Sequence, residues 1–214
     1  MLKEIFGKKI GMTQIFRDTG DMIGVTVLEV EPVCILEKKE YSGRAAAKIG
    51  CFKVREDRVN RVRKPEAGYF KKLGVSAYKM VCEVATTGDI EAKKEIGVEM
   101  FNEGDIVDVR GKIKGRGFTG GIKRHNWSCG PQAHGSMTHR RIGSNGANTD
   151  PGRVVRGHRM PGHYGDEYQT IRNLRVMKID KEKSLLFIEG GVPGSRGTVL
   201  KVKRQKVATV SQAA

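Results

Sequence analysis

One stretch in the middle of this chain is made of different material from its flanks. Residues 111–164 contain ten Lys and Arg against one acid, Asp150, together with twelve of the glycines and all five histidines. That is a net +9 in 54 residues, whereas the other 160 residues carry 30 basic against 23 acidic side chains, a net of only +7. The segment does contain apolar residues (Ile113, Phe118, Ile122, Trp127, Met137, Ile142, Val154, Val155, Met160), but no helical or strand period is sustained between its glycines. A run of roughly fifty residues without secondary structure cannot bury a core of its own inside a compact domain. Its sequence is dense and non-repetitive, unlike a low-complexity linker. The segment therefore reads as an arm that takes its shape from a partner.

The chain as a whole carries 40 Lys and Arg against 24 acids, a formal +16. Such a charge costs stability through self-repulsion, and a polyanionic partner is the simplest reason to keep it. Solubility alone would be served as well by acid. No membrane-spanning helix is expected, because the longest strictly apolar runs resemble Leu185–Ile188 and such a helix needs about 20 residues. The opening residues, MLKEIFGK, have no apolar stretch of the signal-peptide kind, so a cytoplasmic location is expected. The four cysteines (Cys34, Cys51, Cys82, Cys129) form no Cys-x-x-Cys pair, and the first three sit among apolar neighbours, as buried thiols do.

The flanks read as β structure. Residues 22–30, 46–52, 79–84, 105–110 and 170–179 are rich in Val, Ile and Thr with partial alternation. Residues 170–179 and 184–189 are joined by the polar turn Asp180-Lys181-Glu182-Lys183, and a last strand is expected over 198–203. Short strands with closely spaced turn signals suggest a small closed barrel. The best helix candidate is 65–73, with Pro65 in the first turn and Lys71 and Lys72 at the end where the dipole favours cations. The basic run 55–64 leading into it is a solvated face or an RNA edge.

Several motifs in the arm invite sharper readings. Gly115-Arg116-Gly117-Phe118-Thr119-Gly120 matches the spacing of a dinucleotide loop. The residues that follow do not look like a helix, however, and no acid lies about 20 residues on to hold a ribose. Glycines that let the backbone pack closely against something, such as a phosphate chain, are the better explanation. His125, Cys129, His134 and His139 could in principle ligate zinc, but structural zinc sites use a tighter Cys-x-x-Cys or His-x3-His pair. Asp150 is the only carboxylate in the segment, too little acid for hydrolytic or two-metal chemistry on a phosphodiester. A metal-dependent RNA-processing enzyme is the competing class; stoichiometric metal and activity of the isolated protein would distinguish it. The expected reading has no catalytic residue, no metal ligand, no cofactor and no small-molecule substrate.

What remains is chemistry suited to folded RNA. Lys123, Arg124, His125 and Asn126 lead into Trp127; a lone Trp is usually core, but this one has no apolar neighbours, so stacking on a base or sugar is at least as good a reading. Arg140, Arg141, Arg153, Arg156 and Arg159 supply forked guanidiniums for bidentate phosphate contact, with Lys114 and Arg116 nearer the start. His134, Ser136, His139, Asn145, Asn148 and His158 add hydrogen-bonding side chains.

At this point a resemblance emerges. Gly7-Lys8-Lys9-Ile10-Gly11-Met12-Thr13-Gln14-Ile15-Phe16, Lys114-Gly115-Arg116-Gly117-Phe118, Ile122-Lys123-Arg124-His125-Asn126, His134-Gly135-Ser136, Thr149-Asp150-Pro151-Gly152-Arg153-Val154, Asn173-Leu174 and Gly190-Gly191-Val192-Pro193-Gly194 occur in this order. The chain resembles the family of large-subunit ribosomal protein three, bacterial type, over nearly its whole length. The resemblance implies a mainly β fold: a small closed barrel of the translation-protein type, an inserted α/β lobe and a long irregular RNA-binding extension. The expected division is a barrel core over 1–54, 79–110 and 165–204, the lobe with its short helix over 55–78, the arm over 111–164 and a C-terminal tail over 205–214. It further implies direct binding near the 3′ end of the large ribosomal RNA and a role early in subunit assembly. The arm would reach toward the peptidyl transferase centre, with its tip near residues 144–152, and the neighbours would be ribosomal proteins fourteen and nineteen. Where some members carry a methylated Gln two residues before the Pro-Gly, this chain has Thr149, so that modification is expected to be absent.

Overall fold

The computed structural model describes residues 2–17, 19–41, 44–86 and 91–205; the expected tail over 205–214 lies outside them except for Gln205. The strands are β1 (Glu4–Phe16), β2 (Met22–Glu29), β3 (Val33–Tyr41), β4 (Arg44–Lys53), β5 (Tyr78–Ala85), β6 (Glu95–Ile96), β7 (Ile106–Lys112), β8 (Phe118–Thr119), β9 (Gly162–His163), β10 (Tyr168–Asp180), β11 (Leu185–Glu189) and β12 (Val199–Arg204). The helices are α1 (Lys64–Leu73) and α2 (Gly121–His125), with 3-10 turns at Glu56–Arg61 and Val98–Met100. The protein is mainly β, as its sequence suggests. It divides into two compact units, Ile113–Glu167 and the remainder.

In the larger unit, six strands pair in the order β1-β12-β7-β10-β11-β2, and β2 returns to β1, closing the barrel. Closure gives each of the six strands a neighbour on both sides, with register shifts between Lys9 and Gly11, Ile171 and Leu174, and Val176 and Lys178. Alternation supplies the interior: Ile5, Leu28, Val107, Val109, Val176, Leu186, Ile188, Leu200 and Val202 are all buried in one cluster. Each such aliphatic side chain stabilises the fold by about 1.5–3 kcal/mol on burial. The expected hairpin is present, with Ile179 opposite Leu186 and Asp180 opposite Leu185. Asp105 is buried and binds Arg204 through two bonds, Nε to Oδ2 at 2.9 Å and Nη2 to Oδ1 at 3.0 Å. This fork ties the end of β12 to the start of β7; a two-pronged geometry of this kind compensates the desolvated carboxylate.

The second sheet corrects the expected division. Strands β5-β4-β3-β6 form a separate four-stranded sheet, so residues 46–52 and 79–84 do not belong to the barrel. The lobe is accordingly larger than 55–78. The reason is that a short Val/Ile strand looks the same whichever sheet it joins. Strand β3, whose sequence shows no sustained alternation, lies between β4 and β6. Its first four residues, Val33-Cys34-Ile35-Leu36, are all buried because both faces are covered. Val33 and Ile35 join the main cluster along with Ile49 and Val84. Cys34 and Leu36 face the other way, onto Phe70 of α1 and Tyr78. Helix α1 begins one residue earlier than expected and ends at Gly74 in the left-handed region (φ 68°), whose N–H bonds back to Lys71 and Phe70. Among the described residues no helix is long and apolar enough to cross a membrane.

Candidate nucleic-acid interface

All of the expected site residues lie in the unit Ile113–Glu167, which the chain inserts between β7 and β10. Its base is more regular than its composition suggests. Ile113 N–H bonds to Glu167 O at 2.9 Å, Arg116 N–H to Tyr164 O at 2.8 Å and Tyr164 N–H to Gly117 O at 2.9 Å. Phe118 then pairs with His163 and Thr119 with Gly162, making β8 and β9 a two-stranded stem. The expectation that this segment lacks secondary structure is therefore wrong at its base. The same holds for the residues after Gly120, which do open a helix. That helix, α2, is a five-residue turn stopped by Asn126 in the left-handed region (φ 57°), too short to show a period in sequence. The dinucleotide reading gains nothing from it.

Helix α2 organises the side chains that follow. Arg124 is half-buried and its Nη1 donates to Met160 O at 2.7 Å, while His125 Nε2 lies 3.1 Å from the same oxygen. Two glycines make this packing possible. A Cβ on Gly162 would come within 2.6 Å of Arg124 Nη1, and one on Gly121 would collide with the six-membered ring of Trp127. The Trp127 ring lies 5.9 Å from that of His125, tilted by 33°. Thus Arg124 and His125, both expected on RNA, also bond within the arm, at Met160 O, a partner that composition could not reveal.

Beyond Trp127 the character changes. From Pro131 to Arg159 every residue is exposed except Ser136, which is half-buried. Met137 is 81% exposed and Val155 66%, so no core forms here. A few local bonds shape the chain: Gly130 N–H to His139 O at 2.8 Å, Arg141 N–H to Thr138 O at 2.7 Å and His158 N–H to Val155 O at 3.2 Å. His139 Nδ1 sits 3.0 Å from Pro131 O, and Ser144 Oγ donates to Gly146 O at 2.7 Å. Arg140, Arg141, Arg153, Arg156 and Arg159 are exposed and, among the described residues, none forms an ion pair with a carboxylate. Lys114, Lys123, His134, Asn145, Asn148 and His158 are exposed as well. Arg116 is exposed and packs its guanidinium 5.8 Å from the centre of the Tyr164 ring. The four conceivable zinc ligands are not gathered: among the described residues, no three His, Cys, Asp or Glu converge in a way that could hold a metal ion. The arrangement is a braced stem carrying an exposed, cation-rich distal segment, chemistry that suits phosphates and unstacked bases.

The family model described as Ribosomal protein L3 matches residues 72–185, a stretch that contains the whole arm. The chain belongs to the ribosomal protein L3 family. Large ribosomal subunit protein uL3 of Acetivibrio thermocellus is 46% identical over 208 residues, covering 95% of this chain and 97% of its own length. The uL3 proteins of Geobacillus stearothermophilus and Thermotoga petrophila are 45% identical over 207 residues and 43% over 209. These cover 95% and 96% of this chain and 95% and 98% of their own lengths. The likeness to L3 proteins therefore runs through barrel, lobe and arm alike.

Proposed function

We propose that this L3 family member, a structural constituent of the large ribosomal subunit, binds folded ribosomal RNA chiefly through the exposed segment from Pro131 to Arg159. The observation that carries this reading is the pairing of exposure with charge: five arginines without carboxylate partners among the described residues, on a stretch with no core. Phosphates would satisfy those guanidiniums, and RNA surfaces would cover the apolar residues left outside. The closed strands serve as a barrel of the translation-protein type that holds the arm's two ends. The protein performs no catalysis and needs no cofactor. Its binding near the 3′ end of the large ribosomal RNA would help nucleate assembly, beside ribosomal proteins fourteen and nineteen, in the cytoplasmic ribosome.

The arm's tip would approach the peptidyl transferase centre and position RNA there. Residues 144–150 contain no Lys or Arg, so their deletion should leave phosphate affinity nearly intact. Large subunits carrying this deletion should assemble, yet show altered peptide-bond formation or altered response to drugs bound at that centre. Unchanged activity and drug response in such subunits would mean that the tip does not reach the centre. Failure to assemble would mean that the tip is needed for docking.

A further inference from the structure

We infer that the arm contains a preformed slot for one unpaired nucleotide, whose base stacks on Trp127 and whose phosphate meets Arg159. The inference rests on the RNA-binding reading above and specifies it at one position. Trp127 lines an open cleft together with Ile142, Gly143, Ser144, His158 and Arg159. The cleft has a volume of about 310 Å³, enough for a base and part of its sugar.

Each wall has a reason to be there. The Trp127 ring is held before any ligand arrives: Gly121 packs against it, Asn126 ends the helix just ahead of it, and the His125 ring lies beside it, anchored on Met160 O. A ring fixed in this way loses little freedom when a base stacks on it, so more of the stacking energy appears as affinity. Among the described residues no Lys or Arg lies over the Trp127 ring, which leaves it available for stacking. Gly143 contributes no side chain, and a Cβ there would meet nothing within 4 Å, so this side of the slot is empty space. Ile142, 41% exposed, offers an apolar edge. Exposed His158 and Arg159 place hydrogen-bond donors and a positive charge at the rim, where a sugar–phosphate would lie. An aromatic platform with a cation beside it is the arrangement by which proteins hold splayed-out bases. A peptide side chain would gain from the platform but has no use for the cation unless it is acidic.

The sequence contains a single Trp, so intrinsic fluorescence of the full-length protein reports this ring alone. The experiment titrates the protein with purified large-subunit ribosomal RNA and records both Trp emission and bound fraction by filter retention. Stacking should quench the emission as the complex forms. Gly143→Leu, which puts an apolar side chain into the slot and removes no charge, should abolish the quenching and weaken binding by about tenfold, the order expected for one stacked base. Trp127→Leu should weaken binding similarly, and Trp127→Phe should recover most of it. Far-ultraviolet circular dichroism checks that the variants are folded. If RNA binds with wild-type affinity while emission is unchanged, or if Gly143→Leu is quenched like the parent, the slot does not exist and the RNA-binding reading stands. If no RNA is retained at all, the reading beneath the inference fails with it.

Discussion

Replacing Arg140, Arg141, Arg153 and Arg156 together by Gln should flatten the salt dependence of ribosomal RNA binding. The unit Ile113–Glu167 carries nine Lys and Arg, and Arg124 is committed to Met160 O, leaving eight cations available for phosphates. If about six to eight phosphates are neutralised, the log–log slope of affinity against salt is about −4 to −7, at roughly −0.7 to −0.9 per phosphate. Raising the salt from about 50 to 200 mM should then cost about 10²- to 10⁴-fold in affinity. Removing four of the cations should make the slope shallower by about three. The variants change surface residues that form no ion pair among the described residues, so folding should be unaffected. The control removes equal charge from the lobe, with Arg55, Arg58, Arg61 and Arg63 each replaced by Gln. Those arginines share their turn with Glu56 and Asp57, and Arg58 lies 3.7 Å from Asp57, so the slope should move by less than about one. Filter-binding titrations across potassium chloride concentrations give both slopes. An unchanged slope in the arm variant, or an equal loss in the lobe variant, would refute the assignment of the interface to the arm.

Two further outcomes follow from burial and bonding. Burial pushes the Cys51 thiol up to about 12, so it is protonated at neutral pH, and Cys34 is buried too, whereas Cys129 is exposed. At pH 8 a soluble disulfide reagent should therefore label Cys129 quickly and reach Cys34 and Cys51 only on unfolding; fast labelling of Cys51 would contradict the packing of the second sheet. In amide hydrogen exchange on the free protein, Val107, Val109 and Leu186 should be protected while most amides from Pro131 to Arg159 exchange freely, since few of them have a backbone partner. Strong protection across the arm without RNA would overturn the view that a partner shapes it.

How far the sequence reveals this molecule depends on how local the deciding physics is. The β10–β11 hairpin is legible because its alternation and its turn, Asp180 to Lys183, lie within one short stretch. So is α1, where Pro65, the terminal lysines and Gly74 mark both ends. Strand β3 is not, because Val33-Cys34-Ile35-Leu36 runs apolar without alternation and then turns to Glu37-Lys38-Lys39-Glu40. A strand covered on both faces at one end and exposed at the other has no single period to find. Nor can Val and Ile content tell which sheet β4 and β5 join, since pairing partners lie far away in sequence. In the arm, composition correctly isolates the exposed cationic segment. It misses the brace: Arg124 looks like any phosphate-binding arginine until Met160 O and Gly162 are seen beside it, and a five-residue helix leaves no periodic trace.

The central claim is that the barrel and lobe make a scaffold and the arm makes the interface. Lys112 and Tyr168 are paired partners at the end of the β7–β10 ladder, so the arm can be removed by joining them through a two-residue Asn-Gly turn in place of residues 113–167. The most direct measurement is the affinity of this excised protein for large-subunit ribosomal RNA beside that of the parent, once cooperative thermal unfolding shows that the scaffold is folded. The account predicts a folded protein whose affinity at near-physiological salt has fallen by about a hundredfold or more, with most of the salt dependence gone. A folded scaffold that binds the RNA within a few-fold of the parent would contradict it.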